Sequence, residues 1–181
     1  MGVDLTGTPD LSIIEYDAAR NNSVSTNTQI LNDPPWHTLR AHAEYTVQHY
    51  AHTALNIRAE FEIVNSWIAR TLPGESHHQH DHPNSIISGV IYLQTDASEI
   101  HFHGQPQALA GARIDYPTEL RTPTNSTTWR QPVEQGISIV FPSHVQHSVP
   151  VNTSNTTRII LGYNAWPRGR FQTDYAGDLL L

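Results

Sequence analysis

The sequence predicts a mostly β fold, a sandwich or barrel of six to eight short strands behind one N-terminal helix. Three observations predict it. Hydrophobic residues make up 38% of the 181 positions and charged residues 15%, a balance that suits short strands joined by turns better than a helical bundle. Helical periodicity is confined to one stretch near the N-terminus. Beyond residue 55 the apolar residues alternate or form β-branched runs bounded by turn residues.

Residues 11–16 read as a short strand and residues 21–28 as a polar loop. Asp33 can cap a helix whose first position is Pro34. Trp36, Leu39, Ala43, Val47, Tyr50 and Ala54 then recur at helical spacing, with His37, His42, His49 and His52 at surface or half-buried positions. Residues 55–67 alternate, placing Leu55, Ile57, Ala59, Phe61 and Ile63 opposite Arg58, Glu60 and Glu62, as in a half-buried strand. Residues 85–93 form a β-branched strand, and shorter ones are expected at 99–103, 108–114, 137–141 and 158–163. The polar stretch 117–135 reads as a long surface loop. The whole chain, 1–181, is expected to be one domain: strand and helix to residue 54, a β core over 55–165, and a tail.

The net charge is −7 with histidine neutral, and all ten basic residues are arginine without a basic run. A phosphate-tracking nucleic-acid surface is therefore not expected. Without cysteine there is no disulfide, thiolate site or cysteine nucleophile. No apolar run approaches the roughly 18 residues that span a bilayer, and residues 1–10 lack the basic and apolar regions of a signal peptide. These readings lead to a cytoplasmic protein with a small-molecule or peptidyl substrate, no membrane partner, and a homodimer left open.

His77, His78, His80 and His82 fall within six residues in mid-chain. In an extended segment His78, His80 and His82 share a face, with neighbours about 6.6 Å apart along the strand. Two imidazoles at that spacing can converge on one first-row metal ion. Downstream, Gly136 opens a strand, Pro142 ends it, and a turn delivers His144 or His147 to a defined place. A strand follows in which Arg158, Ile160, Gly162 and Asn164 share a face. Its arginine is either an ion-pair partner or a clamp for a carboxylate. Two ligands from an early strand and one histidine from a late strand suit a two-sheet jelly roll holding non-haem iron.

At Asn65-Ser66-Trp67, His80-Asp81-His82-Pro83-Asn84-Ser85, Ser88-Gly89-Val90-Ile91-Tyr92-Leu93, Phe141-Pro142-Ser143 with His147, and then Arg158 and Asn164, the chain resembles the 2-oxoglutarate/Fe(II)-dependent oxygenases of phage and bacterial type, distant relatives of prolyl hydroxylases. The resemblance spans about residues 60–165. It implies a double-stranded β-helix (a cupin-like jelly roll), Fe(II), and oxidative decarboxylation of 2-oxoglutarate to succinate and CO2, coupled to hydroxylation of a substrate. It also implies metal ligation by His80 and His147 and capture of the far carboxylate of 2-oxoglutarate by Arg158 with Tyr92. Asn164 and Ser88 are further candidates for lining the pocket, and Asn84 for stabilising a turn.

The second ligand departs from the family pattern, which writes a carboxylate two residues after the first histidine. Here that residue is His82, with Asp81 between. A regular strand favours His82; a bulge would re-aim Asp81 instead. Three neutral imidazoles would leave one more positive charge on the centre and favour an anionic chelating co-substrate. The alternative is a three-histidine cupin enzyme that uses no 2-oxoglutarate, or a non-enzymatic jelly-roll module. Gly74 and Gly136 precede the two histidine motifs at cupin spacing, but Ile86 and Ile87 stand where the first cupin motif has glutamate.

Overall fold

The computed structural model describes residues 1–96, 98–104, 108–109, 112–113, 119–123, 125–171 and 179–180. In chain order the strands are β1 (Tyr16–Ala18), β2 (Ser23–Ser25), β3 (Glu60–Thr71), β4 (His77–His80), β5 (Ile87–Gln94), β6 (Ser98–His103), β7 (Ala108–Leu109), β8 (Ala112–Arg113), β9 (Thr128–Val133), β10 (Ser138–Pro142), β11 (Gln146–Val149), β12 (Arg158–Arg168), β13 (Arg170–Phe171) and β14 (Leu179–Leu180), with helix α1 (His37–Thr53) between β2 and β3. Two antiparallel sheets form a jelly roll, a six-stranded one ordered β1-β2-β3-β12-β5-β10 and a four-stranded one ordered β4-β11-β6-β9.

Each face of the larger sheet has its own core. On the outer face α1 lays Leu39, Ala43, Val47 and Ala51, a row at i, i+4 spacing, against Ile68, Ile87, Ile91 and Leu161. On the inner face Val90, Tyr92 and Phe141 meet Ile100 and Val133 of the smaller sheet. Burying each large apolar side chain contributes about 1.5–3 kcal/mol. Two glycines permit the close packing. Gly89 lies opposite Tyr163 in register, and a Cβ there would run into the Tyr163 ring. Gly162 lies opposite Trp67, and a Cβ would come to 2.6 Å from the indole. Gly89→Ala is expected to cost about 1–3 kcal/mol through overpacking, read as a lower urea midpoint; an unchanged midpoint would mean Tyr163 can step aside freely.

Several expectations shift. The turn Leu11–Ile13 is a 3-10 helix capped by Asp10, and the strand begins only at Tyr16. The polar segment expected to be a loop contains β2, which joins the large sheet because its backbone pairs with β1 and β3. Asp33 precedes a 3-10 turn and makes no side-chain cap; its carboxylate accepts from Asn27 instead. Ala51 rather than Ala54 is buried on α1. The strand expected over residues 55–67 is β3, later by five residues at its start and continuing to Thr71. Val64 is bulged between the pairs Ile63–Ala165 and Asn65–Asn164, which flips the alternation. Phe61 and Ile63 therefore face α1, whereas Trp67, Ala69 and Thr71 face the interior of the jelly roll. Part of the expected 117–135 loop is strand β9. Of the strand expected over 108–114, β7 and β8 are described as a paired two-residue ladder and the rest lies outside the described residues. No described helix is long and apolar enough to cross a membrane.

Candidate metal centre

β11 is the strand on which the site is built. It lies between β4 and β6, pairing His147 with His80 on one side and with Phe102 on the other. His82 lies just past the end of β4, where its backbone N–H donates to the Ser143 carbonyl at 3.0 Å. Asn84 follows with φ of 59°, a left-handed turn conformation that asparagine tolerates. The turn returns the chain to β5 and holds His82 against the β10–β11 connection.

The ligand nitrogens of His80, His82 and His147 lie within 4.8 Å of one another. Ring centroids are 4.3 Å apart for His80–His147, 5.1 Å for His82–His147 and 5.1 Å for His80–His82. Two backbone carbonyls orient the set. His80 Nδ1 lies 2.8 Å from the His78 carbonyl, and His147 Nδ1 lies 3.1 Å from the Val145 carbonyl. A carbonyl only accepts, so Nδ1 carries the proton in both and Nε2 keeps its lone pair. Neutral imidazoles facing one another, with His80 and His147 fixed in tautomer, are the donor set that first-row metal ions take. Asp81 is exposed and stands outside this group, as does His144.

Burial keeps these rings neutral. It pushes His147 down to about 3, with the charge of a protonated His80 adding to the effect, and His82 down to about 4. His80 is lowered by the same cause. In the unfolded chain they titrate near 6.5, so below that pH the unfolded state binds more protons than the folded one. The metal-free protein is therefore expected to keep its full stability above about pH 6.5 and to lose on the order of several kcal/mol as pH falls toward 4. Urea midpoints of the metal-free protein between pH 7.5 and 4.5 measure this; a flat profile would contradict it.

The histidines line a cavity between the sheets. Trp67, Phe141, Gly162, Thr71, Tyr92 and Arg158 line it as well. Arg158 is 4% exposed. Its Nη1 donates to Ser98 Oγ at 2.7 Å and its Nη2 to the Pro150 carbonyl at 3.2 Å. No carboxylate of a described residue pairs with it, which removes the ion-pair reading among those residues. Tyr92 is fully buried, and burial raises its phenol despite the nearby Arg158 charge.

Ser88 and Asn164, expected as pocket candidates, lie beside the cavity rather than among its lining residues. Ser88 Oγ donates to Asn164 Oδ1 at 2.7 Å and lies 2.8 Å from Ser143 Oγ, which also meets Ser85. These hydroxyls satisfy one another and tie the His82 turn to the turn before His147. His101 and His103 point away from the cavity, toward Glu99 and Ser148.

The cluster itself holds a correction. His147 pairs with His80, but Val149 pairs with His77, so three steps on β4 match two on β11. This bulge exposes both His78 and Gln79 and turns His77 into the cavity. The alternation that put His78 on the ligand face does not hold. Thr71, opposite Arg158 in register, also lines the cavity without having been singled out. Continuing the β3 alternation from Trp67 through Ala69 would have found it; nothing in the residue pattern announces the bulge that selects His77.

Three convergent imidazoles and a buried arginine without a carboxylate partner among the described residues, in one cavity of a jelly roll, fit a non-haem metal enzyme of the cupin-like class. The sequence matches the family model described as "Putative 2OG-Fe(II) oxygenase" over residues 65–164, more than half of the chain. The chain belongs to the 2OG-Fe(II) oxygenase family, whose cofactors are Fe(II) and 2-oxoglutarate. Solved structures share the fold. A 2OG-Fe(II) oxygenase family oxidoreductase from Burkholderia pseudomallei superposes with a TM-score of 0.57 at 18% identity, over 85% of this chain and 72% of that one. HygX from Streptomyces hygroscopicus, solved with nickel and 2-oxoglutarate bound, gives 0.59 at 9% identity, over 87% and 75%. The non-heme alpha ketoglutarate dependent carbocyclase SnoK from nogalamycin biosynthesis gives 0.58 at 17%, over 85% and 69%. No curated protein matches the sequence.

Proposed function

We propose that this oxygenase hydroxylates an unactivated C–H bond of a small-molecule or peptidyl substrate, with His80, His82 and His147 holding the iron and Arg158 holding the far carboxylate of 2-oxoglutarate. The observation that carries this reading is Arg158. A guanidinium at 4% exposure without a carboxylate partner among the described residues is costly unless a ligand supplies the counter-charge. Two of its five N–H donors are used by Ser98 and Pro150, which fixes the fork and leaves the others for a carboxylate. The Tyr92 hydroxyl and the Thr71 side chain line the same cavity as the guanidinium and are suited to donate to the same group.

When bound, the iron supplies activation of O2 coupled to oxidative decarboxylation, so that R–H, O2 and 2-oxoglutarate give R–OH, succinate and CO2. The residues of the chain orient and shield. Carbonyl bonds at Nδ1 of His80 and His147 hold the opposite nitrogens inward, and Trp67 and Phe141 give the cavity wall apolar surface. Anaerobic addition of 2-oxoglutarate to the Fe(II)-loaded protein is expected to raise the weak visible charge-transfer band of the chelate. A protein that binds Fe(II) but shows neither a band nor 2-oxoglutarate-dependent succinate formation would sink the reading.

A further inference from the structure

Of the four clustered histidines the three-ligand group leaves His77 and His78 unused, and of these two His78 is exposed while His77 lines the cavity. The β4 bulge turns it into the cavity, where its ring stacks on His80 at 4.2 Å between centroids and 20° between planes. It is not a member of the group whose ligand atoms lie within 4.8 Å of one another. Stacked rings carry their lone pairs in near-parallel planes, which suits two neighbouring functions better than a shared ion. Neither ring nitrogen hydrogen-bonds to a described residue, and neither is sealed within protein.

Its place in the register is informative. Along β11, His147 faces His80, Val149 faces His77, and Pro150 follows, with its carbonyl anchoring the Arg158 guanidinium. His77 thus stands between the candidate metal ligands and the candidate carboxylate clamp, close enough to Arg158 to feel its charge. A phenylalanine would stack on His80 as well. The half-buried His77 imidazole lines the cavity, and its nitrogens, which meet no described residue, are free to bond a ligand there.

We propose that His77 is a positioning residue for the co-substrate, its imidazole N–H donating a hydrogen bond to a carboxylate oxygen of 2-oxoglutarate. This rests on the placement of 2-oxoglutarate given under the proposed function. It adds a recognition contact from β4, the strand that also carries His80, and so couples the seating of the co-substrate to that strand.

The test titrates 2-oxoglutarate by calorimetry into the Mn(II)-loaded protein without oxygen, in wild type, His77→Phe and His77→Gln, with Mn(II) affinity measured in parallel. His77→Phe keeps the stacking and loses the donor; its 2-oxoglutarate affinity is expected to fall about 10- to 100-fold, with Mn(II) affinity unchanged. His77→Gln restores a donor and is expected to recover most of the loss. If wild type binds 2-oxoglutarate and His77→Phe binds it equally well, the role of His77 is overturned while the proposed function stands. If wild type itself does not bind it, both fall. Loss of Mn(II) affinity in His77→Gln would make His77 a metal ligand and overturn the inference in a different way. Should His77→Phe lack the native circular dichroism spectrum, His77→Leu takes its place under the same criteria.

Discussion

His147→Ala is expected to lose ferrous iron and, with it, turnover. The side chain is buried to 5% exposure, lies on the central pair of the smaller sheet, and has Nε2 directed at the other two imidazoles by the bond from Nδ1 to the Val145 carbonyl. Changes to residues that merely orient metal ligands typically cost 10- to 100-fold in affinity, so removing a ligand from a three-ligand site should cost more than about 100-fold. Equilibrium dialysis against Fe(II) or Mn(II) reads the first effect, and 2-oxoglutarate-dependent succinate formation the second. Asp81→Ala is the informative control. Asp81 is exposed and outside the convergent group, so its loss is expected to change metal affinity less than about threefold, whereas His82→Ala should behave like His147→Ala. The reverse ranking would make the carboxylate the second ligand.

Arg158→Ala is expected to raise the KM and Kd for 2-oxoglutarate by about 100-fold or more, since charge-assisted bonds to a carboxylate contribute roughly 1.5–3 kcal/mol each. Fe(II) affinity should be retained. Arg158→Lys should recover only part of the loss, because an ammonium lacks the planar fork that Ser98 and Pro150 aim. Removing a buried charge that lacks a carboxylate partner among the described residues should cost the unliganded protein little stability. An unchanged Kd for 2-oxoglutarate in Arg158→Ala would remove Arg158 from the co-substrate site.

Much of this architecture was legible in residue order. The α1 face could be read from Leu39, Ala43 and Val47 because helical periodicity is local. The same holds for Arg158, Ile160 and Gly162, which do line one cavity. Strand β2 was not legible, because Ser23-Val24-Ser25 buries its serines more deeply than its valine and owes its place to backbone pairing with β3. Both phase errors have one cause. The bulges at Val64 and in β4 each insert a residue without a partner, and that depends on the neighbouring strand rather than on the bulged residues themselves.

By itself, the sequence determined the fold class, through composition and local period, and the family and its residue types for a metal and a 2-oxo acid, through motifs that match those of known oxygenases. The tertiary structure decided which of the clustered side chains meet. It left Asp81 exposed, drew Ser88 and Asn164 into a hydroxyl network with Ser143, and chose His77 over His78 for the cavity. The physical reason is register. A strand shows one face or the other according to the hydrogen bonds it shares with its neighbours, and a single unpaired residue reverses every side chain beyond it.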